Sequence, residues 1–153
     1  MKRFQFKFAA LLTYRRHRRD LCQRLLADLQ AHDQRLIGER QDLERQRAEQ
    51  LGELRNLATS GAVDVDRALA RRYFAARLTG EMRIIDRNRD LLARQIQMCR
   101  QTLLRADQEV RALEKLREQQ IEAHGQLTEK LAARELEEAW QAARQGKELE
   151  VRS

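Results

Sequence analysis

Apolar side chains recur every seven residues along most of this chain, in two pairs of columns. The columns of the first half are Phe8, Arg15, Cys22, Leu29, Leu36, Leu43, Gln50 and Leu57, with Phe4, Leu11, Arg18, Leu25, His32 and Glu39 beside them. The columns of the second half are Leu78, Ile85, Leu92, Cys99, Ala106, Leu113, Gln120 and Leu127, with Met82, Arg89, Ile96, Leu103, Val110, Arg117, His124 and Leu131 beside them. Alternating spacings of three and four predict two long helices that pack along a narrow seam.

A turn is predicted between the two halves. Residues 58–64 form the only cluster of turn-forming residues in the chain. Gly61 can adopt the left-handed conformation that ends a helix, and Asp64 can cap the next one. A short connection favours antiparallel neighbours. The predicted elements of this single domain, residues 1–153, are a helix over about 5–58, a turn over about 59–64 and a helix over about 65–144.

A fold-back at the Ser60–Gly61 bond places the columns of one helix opposite those of the other. The resulting pairs are Leu43 with Leu78, Leu36 with Ile85, Leu29 with Leu92, Leu25 with Ile96, Cys22 with Cys99, Leu11 with Val110, and Phe8 with Leu113. We therefore predict an all-α fold, a two-helix antiparallel coiled-coil hairpin with a C-terminal helical overhang. Beyond Arg117 the overhang has apolar residues without a partner in the chain: Ile121, Leu127, Leu131, Leu136 and Trp140.

Composition and charge support long helices and locate the basic residues. Charged residues make up 36% of the chain, aromatic residues 5%, and proline is absent, a mixture typical of coiled coils. Residues 1–19 hold seven basic side chains and no acidic one, so they account for the whole net charge of +7. An Arg-rich, acid-poor start also fits a mitochondrial transit peptide. The heptad continues through this segment, however, and we expect a cytoplasmic protein.

The two ends of the chain carry recognisable stretches. The first consists of Lys2, Arg3, Phe4, Gln5, Phe6, Lys7 and Phe8, followed by Leu11, Leu12, Tyr14 and Arg15. The second consists of Glu109, Val110, Arg111, Ala112, Leu113, Glu114, Lys115, Leu116, Arg117 and Glu118. Together with the length, the hairpin layout and the basic charge, they make the chain resemble the FliJ family, small coiled-coil proteins of the bacterial flagellar type III export apparatus.

The resemblance implies a fold and a set of partners. Members of the family are similar in fold to the central stalk subunit of rotary ATPases. They dock on the hexameric export ATPase, contact the export gate protein and escort export chaperones. For this chain it implies a cytoplasmic role in flagellum biogenesis and motility, at the inner face of the cell membrane only through its partners. A virulence-type export system stays open, as does the oligomeric state.

Candidate catalytic and metal-binding residues are few. Serine occurs only at Ser60 and Ser153, and no Gly-rich phosphate loop is present. We therefore expect no enzymatic activity, no cofactor and no small-molecule substrate. Cys22 and Cys99 have no further Cys or His at the helical spacings that a zinc site needs. They are interpreted as two buried thiols that face each other in one layer of the seam.

The basic run from Arg15 to Arg19 is a candidate docking site. Within it, Arg15, Arg16 and Arg19 are predicted to bind a partner, and Arg16 and Arg19 lie off both predicted seam columns. A basic segment ahead of a leucine heptad is also the layout of a basic-zipper protein. A nucleic-acid binder is disfavoured because the second helix of the same chain already supplies the partner that a zipper would need. The remaining interpretations are that the basic run binds an acidic protein surface or that it is simply a solvated helix face.

Four aromatic residues complete the predicted partner-binding set. Phe6 lies off the seam and is expected to be exposed, while of the adjacent Tyr73 and Phe74 only one can cover the seam. Trp140 lies on the predicted overhang. Spare aromatic residues are typical anchors of protein interfaces, although local packing explains them as well. The rival to an export adaptor is a generic coiled-coil scaffold.

Overall fold

The computed structural model describes residues 3–61 and 64–151, with side chains described up to Lys147. It contains two helices, α1 over Ala9–Thr59 and α2 over Val65–Val151, and no strand within the described residues. The helices pack against each other, so the predicted all-α helical hairpin is confirmed, and its packing is compatible with a coiled coil. Neither helix has, among these residues, a stretch long and apolar enough to cross a lipid bilayer.

The turn has the local structure that its sequence predicts. Gly61 adopts a φ of 76°, in the left-handed region. The Asp64 side chain caps α2, because its Oδ1 accepts a hydrogen bond from the backbone N–H of Arg67 at 3.2 Å. Ala62 and Val63, which belong to the predicted turn, lie outside the described residues.

Both helices differ from the prediction at the ends distant from the turn. α1 begins at Ala9 rather than near residue 5, with the Ala9 N–H donating to the Phe6 carbonyl at 3.2 Å. The segment before it contains no Ser, Thr, Asp or Asn that could cap an earlier start. α2 continues past residue 144 to Val151, because its last residues include strong helix formers and no proline.

The chain divides into two compact units. One consists of Met1–His17 with Asp107–Ser153, and the other of Arg18–Ala106. We call them the terminal unit and the central unit. The single domain predicted from the sequence stays a prediction.

The central unit is held together by the predicted leucine layers. Leu36, Leu92 and Ile96 form its buried cluster, and the half-buried side chains against it are Leu26, Leu29 and Ile85. Cross-helix contacts run from Arg40–Asp86 through Asp33–Arg89 to Cys22–Cys99. Residue numbers fall on α1 as they rise on α2, so the two helices are antiparallel.

One predicted column of α1 is wrong. Leu25 is 54% exposed, whereas its neighbour Leu26 packs in the core. Within the central unit, the true companion column is Arg19, Leu26, Asp33, Arg40, Arg47 and Leu54, each half-buried. Both choices satisfy the three-four alternation, and four of the six residues of the true column are charged, so the apolar pattern alone does not select it. The charged column lies at the seam because long stems pack there while the heads form ion pairs, as Arg40 does with Asp86 at 2.7 Å.

The same shift of one residue holds in the terminal unit. Leu12 is 4% exposed, in place of the predicted Leu11 at 40%, and Val110 opposite is fully buried. Phe4 stacks edge-on against His124, with ring centroids 5.6 Å apart. His124 belongs to the predicted overhang, which begins after Arg117, so this part of α2 does have a contact within the chain. Non-helical backbone advances up to about 3.4 Å per residue against 1.5 Å in a helix, so the segment before Ala9 reaches further along α2 than a helix would.

Candidate protein-docking surfaces

Two arginines of the predicted docking set are tied to α2 within the terminal unit. Arg15 forms an ion pair with Glu109. Arg16 donates from Nε and Nη2 to Oε1 of Glu114, at 3.1 and 2.7 Å. The side chains of Arg16 and Glu114 are 44% and 36% exposed. Such exposed pairs contribute little stability, so an acidic partner can compete for these arginines.

Arg19, in the central unit, is not the free surface residue that its predicted position implies. It lies on the seam column of α1, its side chain is 25% exposed, and its Nη2 is 3.1 Å from Oδ1 of Asp20. The prediction that Arg19 lies off the seam is wrong for the same reason as the prediction that Leu25 lies in it, because the true companion column of α1 is displaced by one residue. Arg18, which the pattern placed in the seam, is exposed instead.

Phe6 is half-buried rather than exposed, which corrects the prediction. It packs edge-on against Phe8, with ring centroids 5.9 Å apart. Phe8 itself is 38% exposed although it was predicted in the core, because it precedes the first residue of α1 and the heptad does not extend to it. The two rings form a small aromatic cluster on the non-helical segment.

The adjacent aromatics of the central unit lie beside the seam. Ala75 and Leu78 fill the seam there, at 5% and 3% exposed. Tyr73 is 76% exposed and Phe74 is 38% exposed. Tyr73 thus projects into solvent, and its role in partner binding stays a prediction.

The tail of α2 in the terminal unit is open to solvent. Every described residue from 133 to 147 is exposed. Leu136 and Trp140 are 71% and 70% exposed, and Trp140 borders a shallow groove with Ala143, Arg144 and Lys147. A large apolar ring beside two cations is suited to a partner with both an apolar and an acidic side chain.

A further exposed apolar surface lies outside the predicted seam columns. Ile84, Leu91 and Met98 follow one another at seven-residue spacing on α2, outside the seam, and are 58%, 58% and 67% exposed. Leu21 and Leu25 on α1 are 49% and 54% exposed. We call these five residues the outer apolar stripe. The spacing of seven between Ile84, Leu91 and Met98 is present in the sequence, but these positions lie outside the columns that define the hairpin.

The two cysteines meet within the central unit. The Cys99 thiol lies in the seam and donates a weak hydrogen bond to the carbonyl oxygen of Cys22, with Sγ 3.7 Å from that oxygen. Burial raises the pKa of the Cys99 thiol, and the neighbouring Cys22 raises it further. Both are free thiols, and no group of three His, Cys, Asp or Glu suited to a metal occurs in the described part of the chain.

Comparison with known proteins gives no relative from which a role could be transferred. No protein-family model, curated protein or solved structure matches the chain.

Proposed function

We propose that this protein is an adaptor that works by helix-on-helix docking, as a cytoplasmic coiled-coil component of the flagellar type III export apparatus. The observation that carries the docking part is the solvent-exposed tail of α2, where Leu136 and Trp140 have no partner among the described residues. Helices that present unpaired large apolar residues are typical of protein interaction sites. The assignment to export rests on the resemblance of the two terminal stretches to the FliJ family.

In this proposal the terminal unit binds the hexameric export ATPase. Arg3 and Lys7 are exposed on its N-terminal segment, while Arg15 and Arg16 are held by Glu109 and Glu114. Positive charge at this segment would steer the unit towards an acidic surface and raise the association rate. Trp140 would then supply the apolar anchor. Contacts with the export gate protein and with export chaperones belong to the same proposal, which assigns no chemistry and no cofactor to the chain.

The direct test is binding of the full chain to the purified export ATPase from the same organism. Trp140→Ala should weaken binding at least tenfold, equivalent to about 1.4 kcal/mol. Leu104→Ala is the matched control, because Leu104 is 59% exposed on the central unit and its loss should leave the affinity unchanged. Equal affinities of the Trp140→Ala and unmodified proteins would contradict docking through the tail.

Charge reversal tests the steering role, and its design follows from the structure. Arg16→Glu would set two carboxylates against each other at Glu114, and Arg19→Glu would place a carboxylate in the seam beside Asp20, so those variants would confuse docking with a change in local structure. Arg3→Glu/Lys7→Glu alters exposed residues and should lower the association rate and its dependence on salt. If the Arg3→Glu/Lys7→Glu variant binds the ATPase normally and restores motility in a deletion strain, the basic segment is not a docking site.

Capture of partners from a lysate separates the rival interpretations. An export ATPase among the captured proteins supports the proposal. A set of unrelated coiled-coil proteins would favour a generic scaffold. Nucleic acid released by raised salt would favour the basic-zipper interpretation, because binding to phosphates weakens steeply with salt.

A further inference from the structure

The outer apolar stripe is too regular to be a scatter of surface leucines. Isolated exposed apolar residues are normal in proteins. Ile84, Leu91 and Met98, however, lie at consecutive equivalent heptad positions of α2, outside the seam, over about 21 Å of helix. This segment of α2 therefore has two apolar faces, one against α1 and one in solvent.

α1 contributes to the same side of the central unit. In an antiparallel pair, the positions that flank the seam on one side come from matching heptad positions of both helices. A groove lined by Glu39 and Asp42 of α1 and by Glu81 and Ile84 of α2 identifies this side. Leu25 lies two heptads before Glu39 and therefore occupies the same heptad position, and Leu21 lies three heptads before Asp42. Leu21 and Leu25 therefore border the side on which Ile84, Leu91 and Met98 lie.

The charges around the stripe are predominantly positive. Arg87 and Arg94 flank it on α2, and Arg18 and Arg24 flank it on α1; all four are exposed, and none forms an ion pair within the described residues. The acidic neighbours are Asp28, Glu39, Asp42 and Glu81, of which Asp42 is already bound by Arg45 at 3.0 Å and Glu81 by Arg77 at 3.2 Å. Two carboxylates without an ion pair in the described part of the chain therefore stand against four such arginines. The stripe therefore combines apolar side chains with a surplus of unpaired guanidinium groups.

From this combination we infer that the outer apolar stripe is a docking site for an acidic amphipathic helix of another protein. The seven-residue spacing matches the repeat with which a third helix would present its own apolar residues. Its carboxylates would lie against Arg87 and Arg94 on one flank and against Arg18 and Arg24 on the other, and arginine pairs well with carboxylates. This site goes beyond the proposed function, which uses the terminal unit.

Two other occupants fit the same surface less well. A second copy of this chain in a symmetric dimer would place the same arginine-flanked stripe against itself, and like charges would repel. A lipid surface favours one broad apolar face, whereas here the neutral polar residues Asn88 and Gln95 lie on α2 between its stripe and α1. Those amides suit hydrogen bonds with the side chains of a docked helix.

The test uses the full chain and a labelled synthetic helix about four heptads long, with Leu at the seam positions and Glu on both flanks. A matched peptide carries Lys in place of each Glu. Fluorescence anisotropy should show the acidic peptide binding at least tenfold more tightly than the basic one. Leu91→Ser/Met98→Ser should weaken that binding at least tenfold. Leu104→Ser should not, since Leu104 is equally exposed but occupies a different heptad position.

A charge swap provides the second arm. Arg87→Glu/Arg94→Glu should reverse the preference and favour the basic peptide, and circular dichroism should show an unchanged helical content in every variant. Equal binding of the two peptides, binding of neither, or an equal loss in Leu104→Ser would overturn the inference. Self-association of the unmodified chain that Leu91→Ser/Met98→Ser abolishes would also overturn the inference, because it would assign the stripe to a second copy of the chain. Variant-sensitive binding to phosphatidylserine vesicles without peptide binding would assign it to a membrane.

Discussion

Arg89 of α2 reaches across the seam to Asp33 of α1, with Nε 2.8 Å from Oδ1 and Nη2 3.4 Å from Oδ2. Both side chains occupy seam positions, at 35% and 23% exposed. Arg40 and Asp86 form a similar cross-helix pair nearby. A polar pair in an otherwise apolar seam favours the one alignment in which both partners meet. These two pairs therefore help to fix the register of the central unit.

The Asp33–Arg89 pair predicts a dependence of stability on pH. The hydrogen bond from Arg89 lowers the pKa of the Asp33 carboxyl below its ordinary 3.8, although burial opposes the change. A lowered folded-state pKa stabilises the fold above the unfolded-state value, and this contribution is lost as the pH falls through the folded-state pKa. The urea midpoint of the unmodified protein should therefore fall more steeply below about pH 4 than that of Asp33→Asn.

The control for this experiment is Asp28→Asn, because Asp28 is exposed and forms no ion pair within the described residues. Its urea midpoint should follow that of the unmodified protein across the same pH range. Parallel curves for the unmodified protein and Asp33→Asn would show that the pair contributes nothing to the acid sensitivity.

The corrected seam of α1 predicts opposite results for two adjacent leucines. Leu26 packs against the core cluster, whereas Leu25 is 54% exposed. Leu26→Ala should lower the free energy of unfolding by about 1–2 kcal/mol, because it removes partly buried apolar surface. Leu25→Ala should change it by less than about 0.5 kcal/mol. Urea denaturation measures both, and a larger loss for Leu25→Ala would restore the original column.

The fold was predictable from the sequence because its main signals are local. The turn residues Gly61 and Asp64 and the leucine layers at Leu36 and Leu92 determine where the helices run and how they meet. The second column of α1 was not predictable from apolar pattern alone. Asp33 and Arg40 resemble surface residues until their partners Arg89 and Asp86 are known, and those partners are distant in sequence.

The candidate surfaces were predictable only in part. The exposure of Trp140 followed from the greater length of the second helix. The ion pairs of Arg15 and Arg16 did not, since Glu109 and Glu114 reach them only across the folded hairpin. The half-burial of Phe6 depends on where α1 begins, and the sequence signals for a helix start are weak at this end. Within the outer apolar stripe, Leu25 could be placed only once the α1 seam was known, whereas Ile84, Leu91 and Met98 already lie off the predicted α2 columns.

The turn predicts a contrast between two glycines. Gly61 has a φ of 76°, which a Cβ disfavours even though nothing lies within 4 Å of it. Gly61→Ala should therefore destabilise the protein by about 1 kcal/mol. Gly38 lies in α1 with equally open space around it, and Gly38→Ala should stabilise by about 0.5–1 kcal/mol through helix propensity. Urea denaturation compares them, and a stabilising Gly61→Ala would contradict the left-handed turn.

Amide exchange should differ along α2. Residues 133–147 are all exposed, whereas Leu92 and Ile96 belong to the buried cluster. A helix without tertiary packing gains little stability from propensity alone. Amides of the tail should exchange far faster than those around Leu92, as measured by mass spectrometry on dilute protein. Equal protection in a demonstrated monomer would mean that another part of the chain covers the tail.

The cysteines predict an intramolecular crosslink. The thiol of Cys99 lies 3.7 Å from the Cys22 carbonyl oxygen, and opposed seam positions bring β-carbons near the separation that a disulfide requires. Mild oxidation of dilute protein should therefore give a faster-migrating monomer on a non-reducing gel. Because burial raises the pKa of the Cys99 thiol and the thiolate is the reactive form, crosslinking should be faster at pH 9 than at pH 7. Cys22→Ser should abolish the fast band, and exclusive formation of crosslinked dimers would contradict the antiparallel pairing of these two residues within one chain.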